Sequence, residues 1–250
     1  MVTWQVIVLP ASPAALRAGE GYDTGPPSMS RTLAIGDIHG CSVALDALLG
    51  VVAPAQDDIV VTLGDYVDRG PDSKGVLERL LALEATAHLI ALVGNHDEMM
   101  LEARGGGGCD WQTGYGETTI ASYGGTVGQI SEAHWRFLER CRDWYETPTH
   151  IFAHASIDPH VDMEQQATYV LRWRSLRADS PPHRSGRTLV CGHTSQKDGR
   201  PLNLGHAVCI DTYAYGGGWL TCLEPASGRI WMANQRGETR STWLSDIAKS

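Results

Sequence analysis

Gly64-Asp65-Tyr66-Val67-Asp68-Arg69-Gly70 follows the apolar, β-branched run 58–63, which has the character of a buried strand. The run therefore ends on an aspartate in a glycine-flanked loop. The same pattern occurs on either side. Thr32 to Ile35 leads into Gly36-Asp37-Ile38-His39-Gly40, and His88 to Val93 leads into Gly94-Asn95-His96-Asp97. Helical patterns fill the gaps. Ser42 can cap a helix with Val43, Leu45, Leu48 and Leu49 on its apolar face and Gly50 as its stop. Asp72 or Ser73 can cap a second, with Val76, Leu77, Leu80 and Leu81 at helical spacing. Asp37 and Asp65 are 28 residues apart, and Asp65 and Asn95 are 30 apart, about one βαβ unit each. Right-handed crossovers between parallel strands put all three loops on one sheet edge.

The rest of the chain adds two similar strand ends. The run Ile151-Phe152-Ala153 stops at His154, and Thr188 to Cys191 stops at Gly192-His193. His150 competes with His154, but it starts its strand and would sit at the wrong edge. Residues 105–128 are glycine-dense and predict a flexible surface segment with a short helix near 118–123, and Ser131 can cap a helix carrying Trp135 and Leu138. Residues 160–186 read as a long polar cap or loop. Further strands are expected at 207–210, 219–223 and 230–233, the last two joined by a Pro-Ala-Ser-Gly turn.

Asp37, His39, Asp65, Asn95, His154 and His193 are hard and borderline ligands suited to a pair of divalent cations. With Arg69 and His96 beside them, the motifs resemble those of the phosphoprotein phosphatase family of calcineurin-like metallophosphoesterases. The resemblance extends from about Leu33 to about Leu223. It implies an α/β fold, a four-layer α/β/β/α sandwich of two mixed sheets. It places Asp37 and His39 on one metal and Asn95, His154 and His193 on the other, with Asp65 bridging. Manganese is the expected metal, with iron or zinc as alternatives.

The implied chemistry is hydrolysis of phosphate esters. A water shared by two cations has a depressed pKa and would attack phosphorus in line. Arg69 would bind phosphate through its fork, together with Asn95, His96 and a second arginine, Arg174 or alternatively Arg172. His96 would protonate the leaving alkoxide while Asp68 holds its other ring nitrogen. Asp211 resembles a family segment near the metals, although Tyr213 stands where that segment has glycine. The leading expectation is a serine/threonine protein phosphatase acting on a phosphoprotein or a small phosphate ester. A hydrolase of diadenosine tetraphosphate or another nucleotide is the enzymatic alternative. A phosphopeptide-binding protein without turnover is the alternative from another class.

Composition sets outer bounds. A chain of 250 residues can bury a sizeable core in one domain, expected at 31–250 after a loosely held extension at 1–30 that is rich in Gly, Pro and Ser. Met29 stands just before the first strand and is an alternative start. A net charge of −9 argues against a nucleic-acid partner, and no apolar run is long enough for a membrane span. Six scattered cysteines without a CxxC fit buried thiols in a reducing compartment, so the cytoplasm is expected.

Overall fold

The computed structural model describes residues 30–106 and 109–249, so the expected extension falls outside the described residues up to position 29. The chain opens with β1 (Thr32–Ile35), α1 (Ser42–Val52), β2 (Ile59–Thr62), α2 (Ser73–Leu83) and β3 (His88–Ala91). Helices α3 (Asn95–Arg104), α4 (Cys109–Gln112), α5 (Glu117–Ser122) and α6 (Glu132–Glu139) follow. Next come β4 (Trp144–Glu146), β5 (His150–Ala153), α7 (Thr168–Trp173), β6 (Thr188–Cys191), β7 (Leu202–Asn203) and β8 (Ala207–Cys209). The chain closes with β9 (Asp211–Thr212), β10 (Trp219–Glu224), β11 (Arg229–Ala233) and β12 (Thr239–Trp243).

These strands make two mixed sheets. The first has the order β12-β11-β10-β1-β2-β3, with β9 also on β10, and the second has the order β4-β5-β6-β8-β7. β1, β2 and β3 are mutually parallel, and so are β5, β6 and β8. Period-two alternation builds the layers. Leu33 and Ile35 face the helices with Leu45, Leu48, Leu77 and Leu80, while Ala34 faces the second sheet. From the other side Phe152, Val190 and Val208 meet Ala34, Val61 and Leu63. Their neighbours Ile151, Leu189 and Cys209 turn outward onto Leu171 of α7. Helices, sheet, sheet and α7 with its loops are the four layers of the expected sandwich. Each large apolar side chain fully buried between the sheets contributes about 1.5–3 kcal/mol, which fixes the sheet separation. The carboxyl ends of six parallel strands thereby meet at one edge.

Several local expectations are corrected. Ser42 is the first helical residue and Cys41 occupies the cap position. Val43 is 46% exposed, and Ala44 is buried in its place. Gly50 does not stop α1. Val52 is buried in the core, so the helix runs one more half-turn and ends at Ala53, whose left-handed backbone (φ 45°) donates its N–H to Leu49. α2 is capped by Asp72, which accepts from the Gly75 N–H. The glycine-dense segment is not simply a surface loop, because Trp111 and Thr119 within it are buried. No described helix is long and apolar enough to cross a membrane. The five described cysteine side chains are free thiols, four of them buried.

Candidate metal and phosphate site

The loops after β1 and β2 are tied together by backbone hydrogen bonds. Ile38 and His39 donate to the Asp65 carbonyl at 3.1 and 2.7 Å, and Gly40 donates to Tyr66 at 2.9 Å. The third loop joins through Asp97, whose carboxylate accepts from the backbone N–H groups of Gly94 (2.9 Å), Asp65 (2.7 Å) and Tyr66 (3.0 Å). Glycine is required where these loops press together. A Cβ on Gly94 would lie 2.1 Å from Asp65 Oδ1, and one on Gly192 would lie 1.9 Å from Asp37 Oδ1. The packing also forces non-glycine residues into the left-handed region. His39, Asp65, Asp68, Arg69 and His193 all have φ between 45° and 68°. Such residues cost of order 1–3 kcal/mol each and gather where surrounding structure holds them for a purpose.

The side chains converge on Asp65. His39 Nε2 lies 3.3 Å from its Oδ2, and His154 Nε2 lies 3.5 Å from its Oδ1. Asn95 Oδ1 is 3.0 Å from His154 Nε2 and 2.9 Å from His193 Nδ1. Asp37 accepts from the His193 backbone N–H at 2.9 Å. All six expected ligands are thus in one cluster. His150 starts β5 instead and bonds Thr149 at 2.9 Å. Asp211, the first residue of β9, lines the same small cavity as His39, Asp65 and His193. Tyr213 takes φ 66°, a conformation in which glycine is the easier residue.

The donor set fits a cation. His154 Nδ1–H donates to the Leu63 carbonyl at 2.8 Å, which leaves Nε2 as a lone pair. Burial pushes His154 down from its ordinary value, which favours the neutral ring. Its lone pair then faces two oxygen acceptors, Asn95 Oδ1 and Asp65 Oδ1, with no proton between them. His39 is oriented in the same way by a 2.8 Å hydrogen bond from Nδ1–H to the Val67 carbonyl. Burial, then Asp211 and Asp65, push the Asp37 carboxyl well above the usual carboxylate range. For Asp65 burial acts upward, but His154, His39 and His96 outweigh it and hold the carboxyl well below that range. Burial and His154 bring His193 down to about 4. Acceptors and crowded carboxylates of this kind are what divalent cations relieve.

Beside the cluster, His96 Nδ1–H donates to Asp68 Oδ2 at 2.8 Å, and Arg69 reaches His96 Nε2 at 3.3–3.4 Å. Asp68 is fully buried. Trp111 Nε1–H donates to the same Oδ2 at 2.9 Å, and Thr119 donates to Oδ1 at 2.7 Å. Arg174 is not brought to this cavity; its guanidinium bonds the Ile157 carbonyl and lines a different one. Arg172 is held between Glu98 and Asp143. Tyr215 is an aromatic neighbour of Arg69, its ring centroid 5.0 Å from the guanidinium.

Residues 30–196 match the family model described as calcineurin-like phosphoesterase. The chain belongs to that family. Its members are phosphoester hydrolases with a dimetal centre, and two groups here are spaced to hold a metal ion: His39, Asp65 and His96, and Asp37, Asp65 and His154. Among relatives, serine/threonine-protein phosphatase 1 of Salmonella typhimurium is 32% identical over 204 residues, 75% of this chain and 88% of that protein. The symmetrical bis(5'-nucleosyl)-tetraphosphatase of Burkholderia pseudomallei is 40% identical over 106 residues. That match covers 42% of this chain and only 33% of the relative's length. Among solved structures, a protein proposed to be a diadenosine tetraphosphatase has a TM-score of 0.61 at 23% identity, covering 87% of this chain and 95% of its own. A cold-active protein-tyrosine phosphatase from Shewanella has a TM-score of 0.58 at 18% identity, covering 86% of this chain and 80% of its own. At these identities the structures attest the fold shared within the family.

The sequence marks Trp111, with Gly116, only by its resemblance to a Trp- and Gly-rich segment of bacterial members of the family, and it gives Asp97 and Thr119 no role. Asp97 stood in the quoted motif as the third residue of a helix, a position that signals capping. Trp111 and Thr119 are more than 40 residues from Asp68, and nothing local in the sequence marks that pairing.

Proposed function

We propose that this chain is a metal-dependent phosphomonoesterase of the serine/threonine protein phosphatase type, with residues 31–250 acting as one catalytic unit. The observation that carries the proposal is the buried Asp68–His96 pair with Arg69 against it, at the mouth of the ligand cluster. The similarity to a serine/threonine phosphatase along most of both chains supports it.

Asp37 and His39 would hold one cation and Asn95, His154 and His193 the other, with Asp65 shared. Such a pair, manganese in this proposal, lowers the pKa of a water and neutralises charge on the phosphoryl group. Arg69 binds phosphoryl oxygens with its fork. In the structure its guanidinium points at His96 Nε2. A phosphate dianion is a better acceptor, so its arrival draws Arg69 away and frees Nε2 to take a proton from solvent, which it then gives to the leaving oxygen. Asp68 fixes the ring orientation and stabilises its cationic form.

A second reading, cleavage of dinucleoside tetraphosphates, is favoured by the 40% identity over 106 residues to the symmetrical bis(5'-nucleosyl)-tetraphosphatase. A side-by-side assay with manganese separates the two. The proposal expects faster turnover of phosphoserine and phosphothreonine peptides than of diadenosine tetraphosphate. The reverse order would replace it, and tight phosphopeptide binding without turnover would make the chain a binding protein.

A further inference from the structure

We propose that the apolar cavity beside Tyr115 is a leaving-group subsite for an aryl or other apolar group carried on the phosphate oxygen. This inference rests on the phosphomonoesterase reading. The cavity has a volume of about 660 Å³ and is lined by Met99, Glu102, Asp110, Trp111, Gly114 and Tyr115. Tyr115 is its link to the phosphate site, although the two cavities share no lining residue. That ring packs edge-on against His96 with centroids 5.3 Å apart, and it lies 5.5 Å from the Arg69 guanidinium. Tyr115 is nevertheless 55% exposed, so its ring offers surface to an incoming group.

The location follows from the chemistry. A general acid must touch the ester oxygen, and Arg69 takes the phosphoryl side of that oxygen. The organic group on the oxygen therefore leaves past His96, and the side chain it meets there is Tyr115. The wall is rigid for a reason readable in the chain. Gly116 lies on the Trp111 indole, where a Cβ would come within 2.5 Å of the ring, and Trp111 is in turn anchored on Asp68. The lining is methionine and aromatic surface, suited to apolar groups. Glu102 in this lining is acidic and disfavours a polyphosphate chain, so a neutral or basic substrate fits better, such as a phosphorylated side chain in an apolar or basic peptide segment.

The test compares benzyl phosphate with ethyl phosphate, whose leaving alkoxides have similar basicity and differ in apolar area, on manganese-loaded enzyme. Wild type is expected to prefer the benzyl ester. Tyr115→Ala should lower the benzyl-to-ethyl ratio of kcat/KM by roughly two- to twelvefold, the usual worth of an aromatic pair, chiefly through KM. Tyr115→Phe should keep the ratio, and Met99→Glu should lower it by placing a further negative charge in the cavity. An unchanged ratio in both Tyr115→Ala and Met99→Glu, with both esters still hydrolysed, would overturn the subsite and leave the phosphomonoesterase reading standing. Wild type that cleaves neither ester but does cleave a dinucleoside tetraphosphate would overturn both.

Discussion

Trp111→Phe removes one N–H from the buried Asp68 carboxylate and keeps an aromatic ring in place. The lost bond is 2.9 Å long, and its acceptor is a fully buried charge that also holds His96. Hydrogen bonds to charged groups are worth about 1.5–3 kcal/mol, and the smaller ring adds a packing loss against Gly116. Urea unfolding should therefore show about 2–4 kcal/mol of destabilisation. Thr119 still holds the other carboxylate oxygen at 2.7 Å, so Asp68 stays near its place and activity survives in part. If about 1.4 kcal/mol of the lost orientation is felt in proton transfer, kcat for an alkyl phosphate falls about tenfold. The fall for p-nitrophenyl phosphate should be smaller, because its leaving group departs without a proton. Unchanged stability would refute the energetic argument. Equal losses on both esters would refute the link from Trp111 through Asp68 to the acid.

His96→Asn should cost roughly 10²–10⁴-fold on an alkyl phosphate and much less on p-nitrophenyl phosphate in steady-state assays, while metal content stays at the wild-type level. Asp58 accepts from Arg31 and from the Ala55 N–H at 2.8 Å, and Asp58→Asn should lower stability by about 1.5–3 kcal/mol at pH 7. Burial acts upward on the Asp58 carboxyl, but Arg31 and the backbone donors outweigh it and leave it below its ordinary value. Its contribution is thus present above about pH 4 and lost as pH falls below that, so denaturation curves of wild type and variant should converge in acid. Gly192→Ala would drive a methyl group into Asp37 and should sharply weaken metal binding, measured by calorimetry.

The sequence was most legible where physical signals are local. Apolar runs ending on Asp37, Asp65, Asn95, His154 and His193 announced parallel strands, and the βαβ spacing brought their ends together. The short strands β4, β7 and β9 have two or three residues each, too few for a period to show, and β12 is largely exposed, with a polar sequence. Gly50 read as a helix stop because local propensity favours it, but burial of Val52 decided otherwise. The glycine-dense segment hid the most. Its composition signals a loop, yet Trp111 and Thr119 are drawn inward by hydrogen bonds to Asp68, a partner far away in sequence. The motif points to Arg174, and only the fold shows its side chain turned to the Ile157 carbonyl.

The central claim is that the six ligands form one cluster built for two cations shared through Asp65. Titration of metal-stripped protein with manganese, followed by calorimetry and checked by elemental analysis, tests it directly. The account predicts two equivalents per chain in wild type and at most one in Asp65→Ala, with phosphoester hydrolysis returning as the second equivalent binds. Two equivalents retained by Asp65→Ala, or full hydrolysis by the metal-stripped wild type, would contradict it.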